Sequence, residues 1–411
     1  MNDSVFPHSY SRIGEALRNR LAEEAPGYIQ LLTGPRQVGK TTLLHEIEND
    51  PRWQAIYANA DTPAAALPNW WNNLLNQTLQ TAAQGKVALL IDEVQYLPGW
   101  SRLVKAAFDD FKRRRVPVRL VLSGSSALTL GKGAQETMAG RFERLFLSHW
   151  PAAELVRRFA LPPDEAVRLY VTQGAFPGAI PFREDAERWT DYVRHAIVDP
   201  AVGRDLLALE LVRKPALLRQ ILAIAAGHPA EIVALHKLRG ELTDAGALET
   251  IAHYLHLLEQ SYLVAALPKY SARAIRRRAA PPKLLLLSQA FARAASHQGN
   301  AEIAPQGERW GHLVENACAA FAWNAGQEVF YWREEPWEVD FVSTGTWGAW
   351  AVEVKPGPYA LGDLRGLLEF CSRHREFQPL VLCDREHVDR ARELHVQALP
   401  WNEYLLSGPP S

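Results

Sequence analysis

The 411-residue sequence has few cysteines, no long apolar run and almost no net charge. Its three cysteines lack the spacing of a metal site or a redox pair, which argues against a disulfide scaffold and a cysteine-based metal site. A formal net charge of −1 excludes a chain-wide basic surface, so any nucleic-acid-binding surface has to be local. Because the sequence also lacks a membrane-spanning stretch and a signal-peptide core, we expect a cytoplasmic protein without membrane partners.

The stretch Leu31–Leu44, LLTGPRQVGKTTLL, contains a P-loop pattern between an apolar run and a helix-like run. Its glycines let the backbone curl, so that backbone amides and the N-terminus of the next helix face bound phosphates. Lys40 can reach the β- and γ-phosphates, and the Thr41 hydroxyl can bind Mg²⁺. The residues predicted to bind the nucleotide are Gly34, Pro35, Arg36, Gln37, Val38, Gly39, Lys40, Thr41 and Thr42.

The stretch Lys86–Val94, KVALLIDEV, is typical of a strand buried on both faces whose carboxyl end opens into a site. We expect Asp92 to hold Mg²⁺ and Glu93 to activate the attacking water. A strand that simply ends in solvated acids is the alternative. The next apolar run, VRLVLSGSS, places Ser123 and Ser125 where they can sense the γ-phosphate, although Ser125 is also compatible with a helix N-cap.

Two arginines follow this predicted core in the stretch GRFERLF. In a ring or a dimer, Arg141 or Arg144 could reach the γ-phosphate of a neighbouring subunit as an arginine finger. Arg141, next to Gly140, is the preferred candidate, and a surface salt bridge is the alternative for both. The expected assembly is a homo-oligomer, as a ring with a hexamer as one form.

Several of these stretches resemble a known family, namely GPRQVGKTTLL, LLIDEVQYLPGW, LVLSGSSALTL and MAGRFERLFLSHWPAAEL. They are similar to the AAA+-type ATPase core of prokaryotic ATPases that carry a C-terminal domain of unknown function, DUF4143. The similarity continues, over almost the full length, through YVTQGAFPGAI, LLEQSYLVAALPKY, WGHLVENACAAF and YWREEPWEVDFV. The resemblance implies ATP as the nucleotide and ATP hydrolysis coupled to a nucleic-acid-related or defence-related task.

The expected fold class is α/β, with four domains in chain order. Residues 1–150 are expected to form an AAA+-type P-loop ATPase core, and residues 151–211 resemble the helical lid that follows such a core. Residues 212–290 are predicted to form a winged-helix domain, and residues 291–411 resemble an α/β PD-(D/E)xK nuclease core.

The winged-helix prediction depends on three helix-like patterns followed by a strand-like run, a basic loop and the apolar run LLLL. The third helix offers no lysine or arginine on its face, so base reading in a major groove is not expected. The basic loop suits DNA phosphate contacts instead, and a solvated loop is the alternative. The predicted DNA-contacting residues are Arg273, Arg276, Arg277, Arg278 and Lys283.

The last third contains, in order, a helix, three strands, a helix and a strand, and this order supports the nuclease-like prediction. We expect Glu315 on the leading helix, Asp340 on the second strand and Glu353 on the third to bind Mg²⁺. Lys355, on the same side of its strand as Glu353, would orient the nucleophilic water. A non-cutting DNA-binding module is one alternative, and a solvated salt bridge between Glu353 and Lys355 is another.

Three functions are compatible with these patterns. The first is a Mg²⁺-dependent ATPase that binds and remodels DNA, branched DNA included. The second is a nucleotide-gated switch that docks a partner protein without DNA motor or nuclease activity. The third is a plain ATP-dependent nuclease.

Overall fold

The computed structural model describes residues 5–24, 27–124, 138–206, 212, 214–234, 236, 240, 242, 248–271, 280–294 and 307–410. The chain forms two compact units, one of His8–Ser148 and one of His149–Ser411 together with Met1–Pro7. The division of the larger unit into three domains stays a prediction. Within the described residues, no helix is long and apolar enough to cross a membrane.

The smaller unit is built on a five-stranded parallel sheet with the spatial order β2-β3-β4-β1-β5. Its strands are β1 (Ile29–Thr33), β2 (Gln54–Asn59), β3 (Val87–Asp92), β4 (Val118–Gly124) and β5 (Phe142–Phe146). Every residue of β1, β3 and β4 is buried, as expected for parallel strands covered on both faces. Because β4 lies between β1 and β3, the carboxyl ends of all three strands meet at one edge of the sheet.

Helices flank this sheet and present apolar stripes to it. They are α1 (Tyr10–Ala22), α2 (Lys40–Glu48), α3 (Trp70–Ala82) and α4 (Trp100–Arg114). Helix α4 buries Val104, Ala107, Phe108 and Phe111, which follow the three- and four-residue spacing of one helix face. These side chains share a core cluster with strand residues of β1, β3 and β4. The parallel sheet and its helices thus hold the P-loop, which joins β1 to α2.

The first part of the larger unit is helical, as predicted. Its helices are α5 (Ala152–Phe159), α6 (Pro163–Gln173), α7 (Ala186–Tyr192), α8 (Pro215–Gly227), α9 (Leu248–Gln260) and α10 (Ala290–Ala294). Two π-helical segments, Val193–Val198 and Ala201–Leu206, follow α7. The chain further contains short 3₁₀ turns at Pro63–Ala66, Val94–Tyr96, Pro177–Phe182, Leu361–Leu364 and Arg385–His387.

A small antiparallel sheet accompanies α8 and α9. Its strands are β6 (Glu231–Ile232), β7 (Val264–Leu267) and β8 (Lys283–Leu286), in the order β6-β8-β7. The β7–β8 pair is the predicted hairpin. Strand β6 occupies the start of the predicted second helix, much of which lies outside the described residues. The predicted DNA-contacting arginines on the hairpin loop also lie outside them, namely Arg273, Arg276, Arg277 and Arg278.

The end of the chain forms a second five-stranded sheet, in the order β13-β12-β11-β10-β9. Its elements are α11 (Glu308–Asn324), β9 (Glu328–Glu334), β10 (Trp337–Gly345), β11 (Gly348–Lys355), α12 (Arg365–Arg373), β12 (Gln378–Cys383), α13 (Val388–Arg392), β13 (Gln397–Pro400) and α14 (Trp401–Ser407). Strands β9, β10 and β11 are antiparallel, whereas β11, β12 and β13 are parallel. The predicted order of helix, three strands, helix and strand is confirmed.

Helix α12 packs directly on the backbone of β10 at Gly366. A Cβ atom there would lie 2.0 Å from the carbonyl oxygen of Glu338. We therefore expect Gly366→Ala to lower the free energy of unfolding by about 1–3 kcal/mol, because the helix has to move off the strand. Urea unfolding measures this loss. Gly362→Ala is the matched control, since a Cβ at Gly362 meets nothing within 4 Å; equal losses in both variants would contradict the close packing.

Candidate functional site

The loop between β1 and α2 approaches its surroundings so closely that only glycine fits at two positions. Gly34 has a φ of +152°, and a Cβ there would lie 1.9 Å from the carbonyl oxygen of Leu147. Gly39 has a φ of +99°, and its Cβ would lie 2.9 Å from the Tyr10 ring. Helix α2 starts directly after Gly39, so its N-terminal amides open toward this loop. The backbone thus forms the type of cradle that binds phosphate.

Lys40 is buried at the base of this loop, with 5% of its surface exposed. Its Nζ donates hydrogen bonds to the carbonyl oxygens of Gly34 at 3.0 Å and Pro35 at 2.6 Å. Two carbonyl groups orient an ammonium but do not cancel its charge. The loop therefore holds a positive charge in place, where it can attract a phosphate group.

The carboxylate of Asp92, at the end of β3, is fully buried and accepts four hydrogen bonds. Its Oδ2 accepts from the Thr41 hydroxyl at 2.7 Å and from the Tyr57 hydroxyl at 3.0 Å. Its Oδ1 accepts from the Ser123 hydroxyl and, at 3.1 Å, from the backbone N–H of Glu93. The donors come from α2, β2, β4 and the turn after β3, so the parallel sheet itself assembles this cluster.

A hydroxyl and a carboxylate in direct contact are the ligand types that Mg²⁺ takes in nucleotide sites. Thr41 and Asp92 are therefore the residues that would hold the ion, and the donor chemistry fits it. Tyr57 was absent from the sequence predictions. Its position near the carboxyl end of β2 explains its role, because the ends of parallel strands converge.

Glu93 follows Asp92 in the left-handed region, with a φ of 49°, and ends the strand. Burial raises the pKa of the Glu93 carboxyl, while Lys40 and a hydrogen bond from Gln95 act in the opposite direction. Gln95 Nε2 donates to Glu93 Oε2, and Gln95 Oε1 is buried without a hydrogen-bond partner in the described part of the chain. The carboxylate is thus held in a fixed orientation beside an unused acceptor. The sequence predictions did not include Gln95.

The two arginine-finger candidates are both engaged within their own chain. Arg141 forms a bidentate salt bridge with Asp109 of α4, in which Nε donates to Oδ1 at 2.8 Å and Nη2 donates to Oδ2 at 3.2 Å. This is the salt bridge that the sequence left open as the alternative. Arg144 Nε donates to the Thr33 hydroxyl at 2.9 Å, directly before the P-loop. Of the two, Arg144 therefore has the contact to the nucleotide-binding segment.

A second candidate site is a cavity of about 520 Å³ in the larger unit. The four predicted residues Glu315, Asp340, Glu353 and Lys355 all line it. Lys283 of β8 lines it as well, so the small antiparallel sheet contributes to the same cavity. The cavity wall holds six carboxylates against three lysine and arginine side chains, which makes it acidic.

A β-bulge places Asp340 in this cavity. The pairing of β10 with β9 shifts register between Val339 and Val342, so two residues of β10 face Tyr331 alone. On the other side, the ladder with β11 ends at Phe341 and Val352. Where the ladder ends, Asp340 Oδ2 accepts a hydrogen bond from the Val354 N–H at 2.8 Å. Because of the bulge, the Asp340 side chain reaches the backbone of β11 at Val354.

Glu315 and Glu353 each pair with a lysine. Lys355 Nζ lies 2.6 Å from Glu353 Oε1. Lys283 Nζ donates to Glu315 Oε1 and also to the carbonyl oxygen of Asp340 at 2.8 Å. Burial raises the pKa of Glu353, and the nearby Asp340 charge adds to this, while Lys355 opposes it. Burial also acts to raise the pKa of Glu315, but Lys283 and His312 together outweigh it and the pKa is lowered.

The predicted DNA contact of Lys283 is wrong. Only 4% of this residue is exposed, and its ammonium points into the cavity, away from any phosphate on the surface. The three-carboxylate metal site is also not formed. Across the described ranges, no group of three or more His, Cys, Asp or Glu side chains is arranged to hold a metal ion. Glu315 is instead neutralised by Lys283.

What remains for a metal is the pair of Asp340 and Glu353. Glu353 Oε2 is buried and has no hydrogen-bond partner in the described part of the molecule. An orphaned carboxylate oxygen beside a second carboxylate fits one Mg²⁺, since this ion is commonly held by two carboxylates and keeps several waters. The residues therefore fit a single ion, held by Asp340 and Glu353.

The hairpin that supplies Lys283 is anchored to the edge of the second sheet. Tyr270 N–H donates to the Tyr331 carbonyl at 2.6 Å, and the Tyr331 hydroxyl donates to the Pro281 carbonyl at 2.5 Å. The Tyr270 ring packs edge-on against three phenylalanine rings, at centroid distances of 5.1 to 5.7 Å. Both ends of the hairpin loop are thus fixed to β9, which brings β8 to the cavity.

The pair of Glu353 and Lys355 generates a stability prediction. Lys355→Met should lower the free energy of unfolding by about 3 kcal/mol at pH 8, because Glu353 is left buried without its cation. Because the pKa of Glu353 is raised in the folded protein, deprotonation of this buried carboxyl lowers stability as pH rises. The stability lost in Lys355→Met should therefore be smaller at pH 5, where Glu353 takes up a proton. Urea unfolding at both pH values measures it.

The control is the double variant Glu353→Gln/Lys355→Met, which removes both charges. It should lose less stability than Lys355→Met alone, and its free energy of unfolding should change less with pH than that of wild type, because the titrating carboxyl is absent. A single variant with the same loss at pH 5 and pH 8 would show that Glu353 does not depend on Lys355.

Three family models match the chain in sequence order. Residues 27–156 match an AAA domain, residues 164–302 match a domain of unknown function, DUF8612, and residues 310–404 match DUF4143. An uncharacterised protein of Haemophilus influenzae is 22% identical over 335 residues, which are 77% of this chain and 79% of that protein. An uncharacterised protein of Mycobacterium tuberculosis is 26% identical over 332 residues, which are 79% and 68% of the two chains.

Two solved structures are similar at low sequence identity. The Thermotoga maritima RuvB Holliday junction branch migration motor is 18% identical, with a TM-score of 0.35, and covers 64% of this chain and 94% of its own. The Aeropyrum pernix ORC2 protein is 15% identical, with a TM-score of 0.41, and covers 65% and 90%. The family matches and the sheet order lead to one conclusion: the chain carries a segment that matches an AAA domain, with a parallel sheet that resembles a P-loop NTPase core, followed by a segment that matches DUF4143.

Proposed function

We propose that this chain is a Mg²⁺-dependent ATPase whose hydrolysis site lies at the carboxyl ends of β1, β3 and β4. One observation supports this proposal above all others: the Asp92 carboxylate is hydrogen-bonded to the first turn of the P-loop helix through Thr41. Thus the ligand types for a metal lie next to the phosphate cradle, and Glu93 is the residue immediately after one of them.

In this proposal the chain's own residues have separate roles. Lys40 and the N-terminal amides of α2 bind the phosphates, and Thr41 and Asp92 hold the Mg²⁺, which neutralises phosphate charge when bound. Glu93 accepts the proton of the attacking water, and its raised pKa suits a general base. Gln95 holds the Glu93 carboxylate, while Ser123 fixes Asp92 and lies where it can sense the γ-phosphate.

Two substitutions separate binding from hydrolysis. Lys40→Ala should abolish nucleotide binding, because it removes the positive charge from the cradle. Glu93→Gln should keep nucleotide binding and lower turnover at least about 100-fold, since the amide cannot accept the proton. Equilibrium binding of a fluorescent ATP analogue and steady-state phosphate release measure the two effects. Wild-type turnover in Glu93→Gln would refute the role of Glu93.

We further propose that ATP hydrolysis is coupled to DNA. Support comes from the sequence of the β7–β8 loop, which has four arginines and no acid between Lys269 and Lys283. Because Lys283 is withdrawn into the cavity, these arginines alone remain as candidates for phosphate contacts. Their loop is attached at both ends to β9, so it is presented from a fixed base.

Replacement of Arg276, Arg277 and Arg278 by alanine should weaken binding to all DNA sequences alike. Each lost phosphate contact should also reduce the slope of log K against log salt by about 0.9 on duplex DNA. Fluorescence anisotropy titrations at several salt concentrations measure the slope. The control replaces Arg113, Arg114 and Arg115, a basic cluster in which two arginines already pair with Asp110; an unchanged slope in the hairpin variant would contradict the proposal.

A second candidate, a nucleotide-gated switch that docks a partner protein, is favoured by the acidic cavity of the DUF4143 domain. More carboxylates than cations line this cavity, and such a surface repels DNA phosphates and suits a basic partner. DNA-stimulated ATPase turnover decides between the two functions. A DNA-remodelling ATPase should be stimulated severalfold by duplex or branched DNA, whereas a protein-docking switch should not respond.

Two finer features belong to this proposal. We propose one Mg²⁺ on Asp340 and Glu353, the orphaned Glu353 oxygen being its support, and DNA cleavage there would have to depend on Lys355. We also propose a homo-oligomeric ring, in which Arg141 would have to leave Asp109 to act as a finger. Arg144 would likewise have to leave the Thr33 hydroxyl.

A further inference from the structure

Lys283 is a buried lysine that the proposed ATPase reaction does not use. It lies on β8, outside the DUF4143 segment, and it contributes its side chain to the cavity of that domain. Burying an ammonium group is unfavourable unless a charged partner and further hydrogen bonds compensate for it. The Lys283 ammonium has both, namely the Glu315 carboxylate and the Asp340 carbonyl oxygen at 2.8 Å.

The Lys283 ammonium lies between helix α11, which carries Glu315, and the bulged strand β10, which carries Asp340. Glu315 of α11 and Asp340 of β10 face the same cavity, and burial together with the nearby Glu315 charge raises the pKa of Asp340. Burial acts to lower the pKa of Lys283, but Glu315 and Asp340 outweigh it, so its pKa is raised and the ammonium stays charged at neutral pH. A permanent positive charge thus occupies the space beside Glu315.

The other half of the cavity is different. Lys355 contacts only one oxygen of Glu353, and the second oxygen is buried without a hydrogen-bond partner in the part of the chain that the structure describes. Asp340 uses Oδ2 for the Val354 N–H. Of the three carboxylates predicted to bind a metal, Glu315 is thus paired with an internal cation, whereas Asp340 and Glu353 retain oxygen atoms for a divalent ion.

We propose that the Lys283 ammonium is a built-in cation of this cavity, which occupies Glu315 in place of a divalent ion and limits the cavity to one such ion, on Asp340 and Glu353. The second part rests on the proposed Mg²⁺ site, whereas the first depends only on the pair of Lys283 and Glu315. Because β8 is anchored to β9, the hairpin delivers this charge as a fixed element of the site.

Manganese binding to the nucleotide-free chain tests the proposal, with Mn²⁺ counted by electron paramagnetic resonance. Wild type should bind one ion that Asp340→Asn removes. Lys283→Met should bind one ion more, because Glu315 then lacks the Lys283 ammonium and becomes a third carboxylate that is available to a metal. The double variant Lys283→Met/Glu315→Gln should return to the wild-type number. Lys269→Met, on the same hairpin but outside the cavity lining, is the matched control and should leave the number unchanged.

Thermal unfolding provides a second readout for a variant that folds poorly. Lys283→Met should have a lower Tm without metal and regain about 5 °C or more in excess Mn²⁺, since the ion replaces the lost charge. The double variant should not respond to Mn²⁺. Two ions in the wild-type cavity, or a Lys283→Met chain that neither binds an extra ion nor gains Tm with Mn²⁺, would overturn the proposal.

The two parts of the proposal fail differently. A wild-type chain that binds no ion in this cavity contradicts the Mg²⁺ proposal at Asp340 and Glu353. If Lys283→Met still gains an ion that Glu315→Gln removes, the role of Lys283 as an internal cation is supported even then. Neither result depends on ATP hydrolysis, so a failure of the proposed ATPase is seen separately.

Discussion

A buried charge has to be compensated locally, and both candidate sites follow from this constraint. Moving a carboxylate or an ammonium out of water costs several kcal/mol unless hydrogen bonds and an opposite charge replace the lost hydration. Asp92 meets the requirement through donors from Thr41, Tyr57, Ser123 and the Glu93 backbone. In the DUF4143 domain, paired lysines meet it. The two sites therefore use hydrogen bonds in one case and internal cations in the other.

This difference has a consequence for what each site can bind. A carboxylate that is held by hydroxyls can exchange one donor for Mg²⁺ with little rearrangement, because a hydroxyl is itself a ligand of this ion. Glu315, which the buried Lys283 neutralises, can take a metal only if that lysine withdraws. The nucleotide site can thus bind a metal without breaking an ion pair, whereas in the C-terminal cavity Lys283 already neutralises Glu315.

The small antiparallel sheet and the second sheet act as one structural element around that cavity. Strand β8 supplies Lys283, and the residues on either side of the hairpin loop are fixed to Tyr331. The residues that flank the hairpin loop and the lysine of the cavity are thus held by the same strand pair.

Local patterns in the sequence determined the elements and their chemistry. The glycine spacing of the P-loop, the apolar run ending in Asp92 and Glu93, and the strand order around Asp340 and Glu353 were all predictable. Each depends on neighbours in the chain, namely on backbone freedom at glycine, on strand burial and on side-chain alternation. The sequence also placed Glu315, Asp340, Glu353 and Lys355 together, because the order of elements implies a sheet that joins them.

Only the tertiary structure decided which charges meet. Lys283 lies among arginines and prolines in the sequence and has the local appearance of a DNA contact. Its partner Glu315 is 32 residues away, and the bulge at Asp340 exists only through pairing with β9. Tyr57 and Gln95 were missed for the same reason, since their roles come from contacts across the sheet and around a turn. Charge compensation in a buried site is a property of packing, and a linear pattern does not contain it.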